Sequence, residues 1–286
     1  MASLDITFQL YRYQLLPIDR FLQTSLLNGA NTINELIERK NEFFNIALSN
    51  VSDSPGKKKD VEIKIITSVG DIYLLKLAKK RKVNVETKQF KKDEIENWPS
   101  VYVVVNNHPD IQMIAVQKRT SAFVNTGTVI NHLFESLKHT MQGYHLTSLY
   151  EPKFESKKFW RLLSMLQKQG EEVHSIEFEI VTANMASISK TLPDDLKAFA
   201  KATNSVKTSL KIESDSDASL KLEQSEPLMK GLVDYASEGG GNIRIKLAGI
   251  SKTHHTSETI TEVSVDDLDI EGSAEQAIEA LQEIFK

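Results

Sequence analysis

The 286-residue chain contains no cysteine. A chain without thiols forms no disulfide, binds no zinc or iron–sulfur cluster through cysteine, and has no thiol nucleophile. The absence also favours a reducing compartment. The longest apolar runs fall far short of the ~18 residues of a membrane span, and the first residues lack the basic-then-apolar order of a secretory signal. We therefore expect a cytoplasmic protein without a membrane span.

Motifs for cofactors and for common catalytic centres are missing as well. The sequence has neither a G-x-x-x-x-G-K-[ST] phosphate loop nor a G-x-S-x-G nucleophile elbow. The glycine run Gly239–Gly241 lies between a predicted helix and a predicted strand, which is the reverse of a phosphate loop and is typical of a helix end. His132 and His139 lie two helical turns apart, too far for one metal ion. We expect no cofactor and no metal site.

The hydrophobic pattern switches repeatedly between a period of 2 and a helical period, which predicts an α+β fold of largely antiparallel sheets with hairpins and packed helices. Strands are predicted at 5–13, 61–69, 72–78, 83–90, 101–105, 111–117, 144–152, 174–181, 205–213, 242–249 and 258–265. Helices are predicted at 31–48 (with Asn31 as N-cap), 91–98, 128–141, 156–170, 192–203, 225–241 and 273–285. Hairpins are expected to join 101–105 to 111–117 and 242–249 to 258–265.

Charge is distributed unevenly along the chain. The net charge of the whole is -4, but residues 1–142 hold 19 basic and 15 acidic residues, whereas residues 143–286 hold 16 and 24. A helix also gives way to a new strand near Gly143. These two observations predict a basic α+β domain at 1–142 and an acidic α+β domain at 143–286. The acidic domain would mediate self-association or contact with a partner, and we expect a homo-oligomer.

Residues 57–92 carry the strongest local signal. This tract holds twelve basic and four acidic residues, an excess that favours an acidic partner such as a phosphate backbone. Tyr73, Phe90 and Trp98 lie in or just after the tract and could stack on bases, although they would suit a core equally well. The alternative is an ordinary solvated surface. The predicted nucleic-acid-binding residues are Lys57, Lys58, Lys59, Lys79, Lys80, Arg81, Lys82, Lys88, Lys91 and Lys92.

The same tract permits an enzymatic interpretation. Asp60, Glu62 and Lys64 occupy alternate positions of one predicted strand and would project from one face. Metal-dependent nucleases often place a carboxylate two positions before a lysine, because the metal needs oxygen ligands and the lysine polarises the attacked phosphate. No second carboxylate motif precedes this triplet. An exposed strand face explains it equally well.

Residues 98–137 show a partial resemblance to a known family. The stretch begins with Trp98-Pro99-Ser100, continues through the apolar strand VYVVV, a turn and the strand IQMIAVQ, and ends in a helix. In outline it resembles the middle of the Rex-type phage exclusion proteins and of bacterial proteins from phage-defence loci, and the opening strand ITFQLYRY also fits. The resemblance implies a cytoplasmic, homodimeric DNA-binding protein that acts in abortive infection. It covers the first half only.

The leading hypothesis is therefore a non-enzymatic DNA-binding protein, a phage-defence or exclusion component whose basic half contacts the phosphate backbone. A metal-dependent nuclease that uses Asp60 and Glu62 is the second hypothesis. The third is a protein-interaction subunit of a defence complex, in which the oppositely charged halves of neighbouring copies pair head to tail.

Overall fold

The computed structural model describes residues 5–21, 29–54, 57–86, 88–182, 190–249, 253–266 and 274–285. Within these ranges the strands are β1 Asp5–Pro17, β2 Val61–Val69, β3 Ile72–Lys79, β4 Arg81–Glu86, β5 Lys92–Asn97, β6 Ser100–Asn106, β7 Met113–Gln117, β8 Leu146–Pro152, β9 Val173–Val181, β10 Lys207–Glu213, β11 Gly241–Leu247, β12 Thr253–His255 and β13 Glu262–Asp266. The helices are α1 Ile33–Glu38, α2 Lys40–Ser49, α3 Thr126–Gly143, α4 Ser156–Lys168, α5 Asp194–Ala202, α6 Pro227–Tyr235 and α7 Ala274–Glu283.

The larger sheet has seven strands in the order β13-β1-β7-β6-β3-β2, with β8 also paired to β1, and all its pairings are antiparallel. β1 is the strand with the most partners, because it pairs with three others. Its first residues lie between β13 and β7, and its last residues pair with β8. Both faces of β1 are covered, which explains why Tyr11, Arg12 and Tyr13 are all buried although they break the alternating pattern. The predicted α+β fold is confirmed.

Helices cover both faces of this sheet. On one face α2 and α3 pack on it, and the shared core contains Phe44, Leu75, Val103 and Leu133. On the other face α7 closes a second core through residues such as Leu281. β3 contributes to both cores because its side chains alternate: Tyr73, Leu75 and Leu77 enter the first, and Ile72 and Leu74 enter the second. Each face of the sheet therefore carries an apolar core, although β2 leaves Glu62 and Lys64 exposed on one of them.

The smaller sheet has four strands in the order β10-β9-β11-β12. Its core combines Phe178 and Ile243 of the sheet with Trp160 of α4 and Val233 of α6. The predicted hairpin between 242–249 and 258–265 is wrong. β11 pairs instead with β12, and the later strand β13 crosses to β1 of the larger sheet.

The sheets do not follow the predicted division at Gly143. β8, β13 and α7 all come from residues 143–286, yet they belong to the larger sheet and its cores. Strand pairing and shared apolar cores, rather than surface charge, decide which segments pack together. Among the described residues, the smaller unit is formed by the segment from α4 to β12 together with Phe154 just before it.

The predicted helix at 31–48 is divided in two. α1 ends and α2 begins at Arg39, whose backbone leaves the helical region. The predicted cap also lies one residue later: the Thr32 side chain accepts the main-chain N–H of Glu35, while Asn31 donates to the Glu35 carboxylate instead. Thr32 and Glu35 stand in the relation that favours a helix start at this point.

Buried Arg12 links the two sheets. Only 6% of this residue is exposed, and its Nε donates to the main-chain oxygen of Glu238 at 2.6 Å. The Glu238 carboxylate lies 3.4 Å from Arg12 Nη2 and 2.9 Å from Lys153 Nζ. Burial disfavours the Glu238 anion, but Lys153 and Arg12 outweigh burial and lower the pKa of this carboxyl below its ordinary value.

Replacing Glu238 with glutamine is expected to cost about 1–2 kcal/mol of unfolding free energy at neutral pH, because a buried guanidinium loses a half-exposed counter-charge. The folded-state pKa of Glu238 is depressed, so its ionic contribution is complete above the unfolded pKa and disappears as the pH falls through the folded pKa. Urea unfolding of both proteins across the acid range measures this. A difference that does not change with pH would show that the ion pair is not its source.

Candidate nucleic-acid interface

The predicted basic tract forms a β-hairpin that projects from the larger sheet. β3 and β6 pair directly up to Ala78 and Ser100, Lys79 still pairs with Val61 of β2, and beyond Lys79 the chain leaves the sheet. There β4 and β5 form a separate two-stranded sheet, which we call the arm. Strands of six residues at about 3.4 Å per residue give the arm a reach of roughly 20 Å. The helix predicted at 91–98 is wrong, since β5 occupies most of it.

The two faces of the arm differ in character. Cross-strand partners project to the same side, so Val83 and Ile95 share one face with Val85, and all three are exposed. The opposite face alternates in charge: Lys82 pairs with Glu96 in register, and Glu86 with Lys92. In the described part of the chain, no core residue comes from β4 or β5. The arm is therefore held mainly by its own hydrogen bonds.

The tip of the arm, residues 88–92, has three lysines and no acidic residue. Lys88, Lys91 and Lys92 are all exposed, and Phe90 stands between them with 86% of its surface in solvent. The φ of Phe90 is +59°, in the left-handed region that non-glycine residues rarely adopt. The end of the arm thus presents positive charge around one large apolar side chain.

The foot of the arm, where it joins the sheet, is basic as well. The main-chain N–H of Lys80 donates to the main-chain oxygen of Asp60 at 2.8 Å, which brings the preceding loop, Lys57–Lys59, toward Lys79 and Lys80. Arg119, which sequence reasoning missed, donates to the main-chain oxygen of Ser100 at 2.9 Å at the same place. The signal for it was a pair of basic residues, 118 and 119, that follows an apolar strand outside the long tract.

Strand pairing brings the foot cations together, because Val61, which closely follows Lys57–Lys59, pairs with Lys79 of β3. Burial lowers the pKa of His132, on α3, and the positive charges of Lys79 and Lys58 lower it further. Arg81 extends the group, since its Nη1 donates to the main-chain oxygen of Ser121 at 3.2 Å. The cations of residues 57–59 and 79–81, far apart in sequence, therefore form one cluster.

Four of the ten predicted residues are paired with carboxylates. Lys57 lies 2.9 Å from Glu62 and Lys79 lies 3.8 Å from Asp60, whereas Lys80 and Lys82 pair with Glu96 and Glu94 across the arm. The Glu94 hydrogen bond raises the pKa of Lys82. The structure therefore divides the predicted set into a partly neutralised foot and a tip where, among the described residues, Lys88 and Lys92 form no ion pair.

The aromatic residues of the tract are also separated. Tyr73 is buried in the core beneath α2 and α3, so its ring cannot stack on a base. Trp98 lies at the foot and Phe90 at the tip, at opposite ends of the arm. Of these three aromatic residues, Phe90 is the most exposed, and it alone has lysines within two residues on both sides of it in the sequence.

The carboxylates of the nuclease hypothesis form ion pairs with lysines. Glu62 and Lys64 do project from the exposed face of β2, as the alternation predicted, but Asp60 and Glu62 pair with Lys79 and Lys57. Across the described ranges, no group of three His, Asp or Glu side chains is arranged to hold a metal ion.

None of the described helices combines the length and the apolar character that crossing a bilayer requires. No protein family, curated protein or solved structure matches the chain.

Proposed function

We propose that the protein binds DNA without altering it chemically, and that the arm makes the contact. One observation carries the proposal: a two-stranded ribbon projects roughly 20 Å from the sheet and ends in three lysines around an exposed phenylalanine. β-ribbons are narrow enough to enter a groove of the duplex, and ribbon readers use either the major or the minor groove. Lysines at its tip would neutralise phosphates and release counterions, which gives affinity without sequence preference.

The foot supports the same contact in a secondary way. Its ion pairs are partly exposed, with the carboxylates facing solvent, and surface pairs contribute only about 0–1 kcal/mol, so a phosphate can compete for the lysine. The displaced carboxylate nevertheless stays nearby and repels the backbone. The tip therefore provides most of the electrostatic attraction, and the foot orients the arm on the duplex.

Three further parts of the proposal rest on the sequence. We place the protein in the cytoplasm, because the chain lacks cysteine. Self-association as a homo-oligomer follows from the opposite charges of its two halves. A role in phage exclusion follows from the resemblance of residues 98–137 to the Rex-type proteins.

Replacing Lys88, Lys91 and Lys92 with glutamine is expected to weaken binding to all duplex sequences equally. Each lysine that contacts a phosphate contributes about -0.9 to the slope of log affinity against log salt concentration, so the slope should flatten by up to about 2.7. Stability should be unchanged because these side chains are exposed. Fluorescence anisotropy with labelled duplexes over a range of salt concentrations measures both affinity and slope.

The matched control replaces three lysines of the smaller unit, Lys168, Lys197 and Lys201, with glutamine and should leave affinity and slope unchanged. Equal losses of affinity in the two triple variants would show that overall charge alone causes the effect, and would contradict the proposal.

The titration is repeated with Mg²⁺ and the DNA is examined on a gel. Cleavage would favour the nuclease hypothesis with Asp60 and Glu62, and the absence of any salt-dependent binding would favour the protein-interaction hypothesis.

A further inference from the structure

We infer that Phe90 is a wedge that enters the base stack of duplex DNA, an inference that rests on the proposed function and assigns the arm its mode of contact. Phe90 is 86% exposed at the end of the arm, although a phenylalanine gains most of its stabilisation from burial. A side chain of this size at a position that needs no core contact is free to meet a partner's apolar surface. The faces of stacked bases are such a surface.

The charges next to Phe90 select the partner. Lys88 precedes it by two residues and Lys91 and Lys92 follow it, so a polyanion is drawn to the position where the ring stands. Apolar wedges in DNA-binding proteins act next to such cations. The cations hold the phosphate backbone while the wedge separates two adjacent base pairs and kinks the duplex. The exposure of Phe90 supports the role, because with 86% of its surface in solvent the ring is not packed back on the arm.

The number of aromatic residues favours duplex over single-stranded DNA. Proteins that bind single strands stack successive bases on several aromatic side chains along a groove. Here Tyr73 is buried, and Trp98 lies at the foot, at the other end of the arm from Phe90. One isolated ring at the end of a narrow ribbon can reach one base step, which is the geometry of a wedge.

The direct test uses a duplex that contains 2-aminopurine, whose fluorescence rises when it is unstacked. Addition of the wild-type protein should raise the fluorescence, and F90A should abolish the increase and weaken binding about tenfold. Because no charge is removed, the salt dependence of the remaining affinity should stay that of the wild type. F90L retains an apolar wedge and should keep part of the fluorescence increase.

The matched control is F199A, which removes a phenylalanine that is 60% exposed on α5, and it should behave as the wild type. A fluorescence increase that survives F90A overturns the wedge, while the lysine variants still decide the proposed function separately. Tighter binding to single strands, with the F90A loss confined to them, overturns it in favour of base stacking. Phe90-dependent binding to phosphatidylserine vesicles with Phe90-independent duplex binding overturns it in favour of a membrane contact. Absence of duplex binding by the wild type overturns both proposals.

Discussion

Excision of the arm is expected to reduce DNA affinity roughly 100-fold or more while the rest of the protein stays folded. The variant replaces Arg81–Asn97 with an Asn-Gly turn, which suits a two-residue hairpin. Because β3 and β6 already pair up to Ala78 and Ser100, the shortened connection closes an existing hairpin. The deleted residues contribute nothing to the described apolar cores, so the melting temperature should change by no more than a few degrees.

A second variant separates the tip from the strands. Replacing only residues 87–91 with Asn-Gly keeps β4, β5 and their charged face but removes Lys88, Phe90 and Lys91. If the tip makes the contact, this variant should lose nearly as much affinity as complete excision. Retained affinity after complete excision would place the interface elsewhere, and a large loss of stability would show that the arm packs on the body. Thermal unfolding and anisotropy on the same samples distinguish these results.

The arm also shows what the sequence could not predict. Residues 91–98 combine Lys, Glu and Asp with one Ile, a composition that suits a helix. The chain nevertheless forms a strand, because Ile95 pairs with Val83 and Lys92 with Glu86 once the chain reverses at the tip. Cross-strand pairing outweighs local propensity here, and it depends on a turn that carries no Asn-Gly or Pro-Gly signal.

The location of the basic residues could be predicted, but their neutralisation could not. The density of lysine in 57–92 is visible in the sequence, and all of these basic residues except Lys64 and Lys76, which lie in β2 and β3, belong to the arm and its foot. The carboxylates of Glu94 and Glu96 reach Lys82 and Lys80 only in the register of the hairpin, and that register is a property of the fold. Sequence charge counts therefore overestimate the basic surface at the foot.

Residues 106–110 illustrate a hidden structural role. The sequence Asn-Asn-His-Pro-Asp predicted a hairpin turn, and β6 and β7 do form that hairpin. Asn107, however, is fully buried: its Oδ1 accepts the Tyr13 hydroxyl at 2.6 Å and its Nδ2 donates to the main-chain oxygen of Asn41 at 2.7 Å. Asparagine is common both in exposed turns and in buried hydrogen-bonded clusters. The sequence therefore does not separate the two roles, and the packing of α2 on the sheet is what buries Asn107.

For the glycine run Gly239–Gly241 the local prediction of a helix end is correct, but it misses a second requirement for glycine at position 239. Gly239 does follow a helix, as predicted, and its φ of +81° is the left-handed conformation that favours glycine at such ends. It also lies between the two sheets. A Cβ built on it would stand 2.4 Å from Cβ of Arg12 and 3.3 Å from the main-chain oxygen of Glu151. Residues far away in sequence therefore determine this position as strongly as the helix end does.

Replacing Gly239 with alanine is accordingly expected to cost about 3–4 kcal/mol of unfolding free energy, from backbone strain together with overpacking against β1. The matched control is Gly70→Ala, because Gly70 has a φ of +58° but a Cβ added there would meet no atom within 4 Å beyond its chain neighbours. This control isolates the strain and should cost roughly 1–2 kcal/mol. Urea unfolding of both variants gives the difference between these values. Equal losses would show that the approach of Arg12 adds nothing, whereas a larger loss at Gly239 confirms that the two sheets pack too closely here to admit one methyl group.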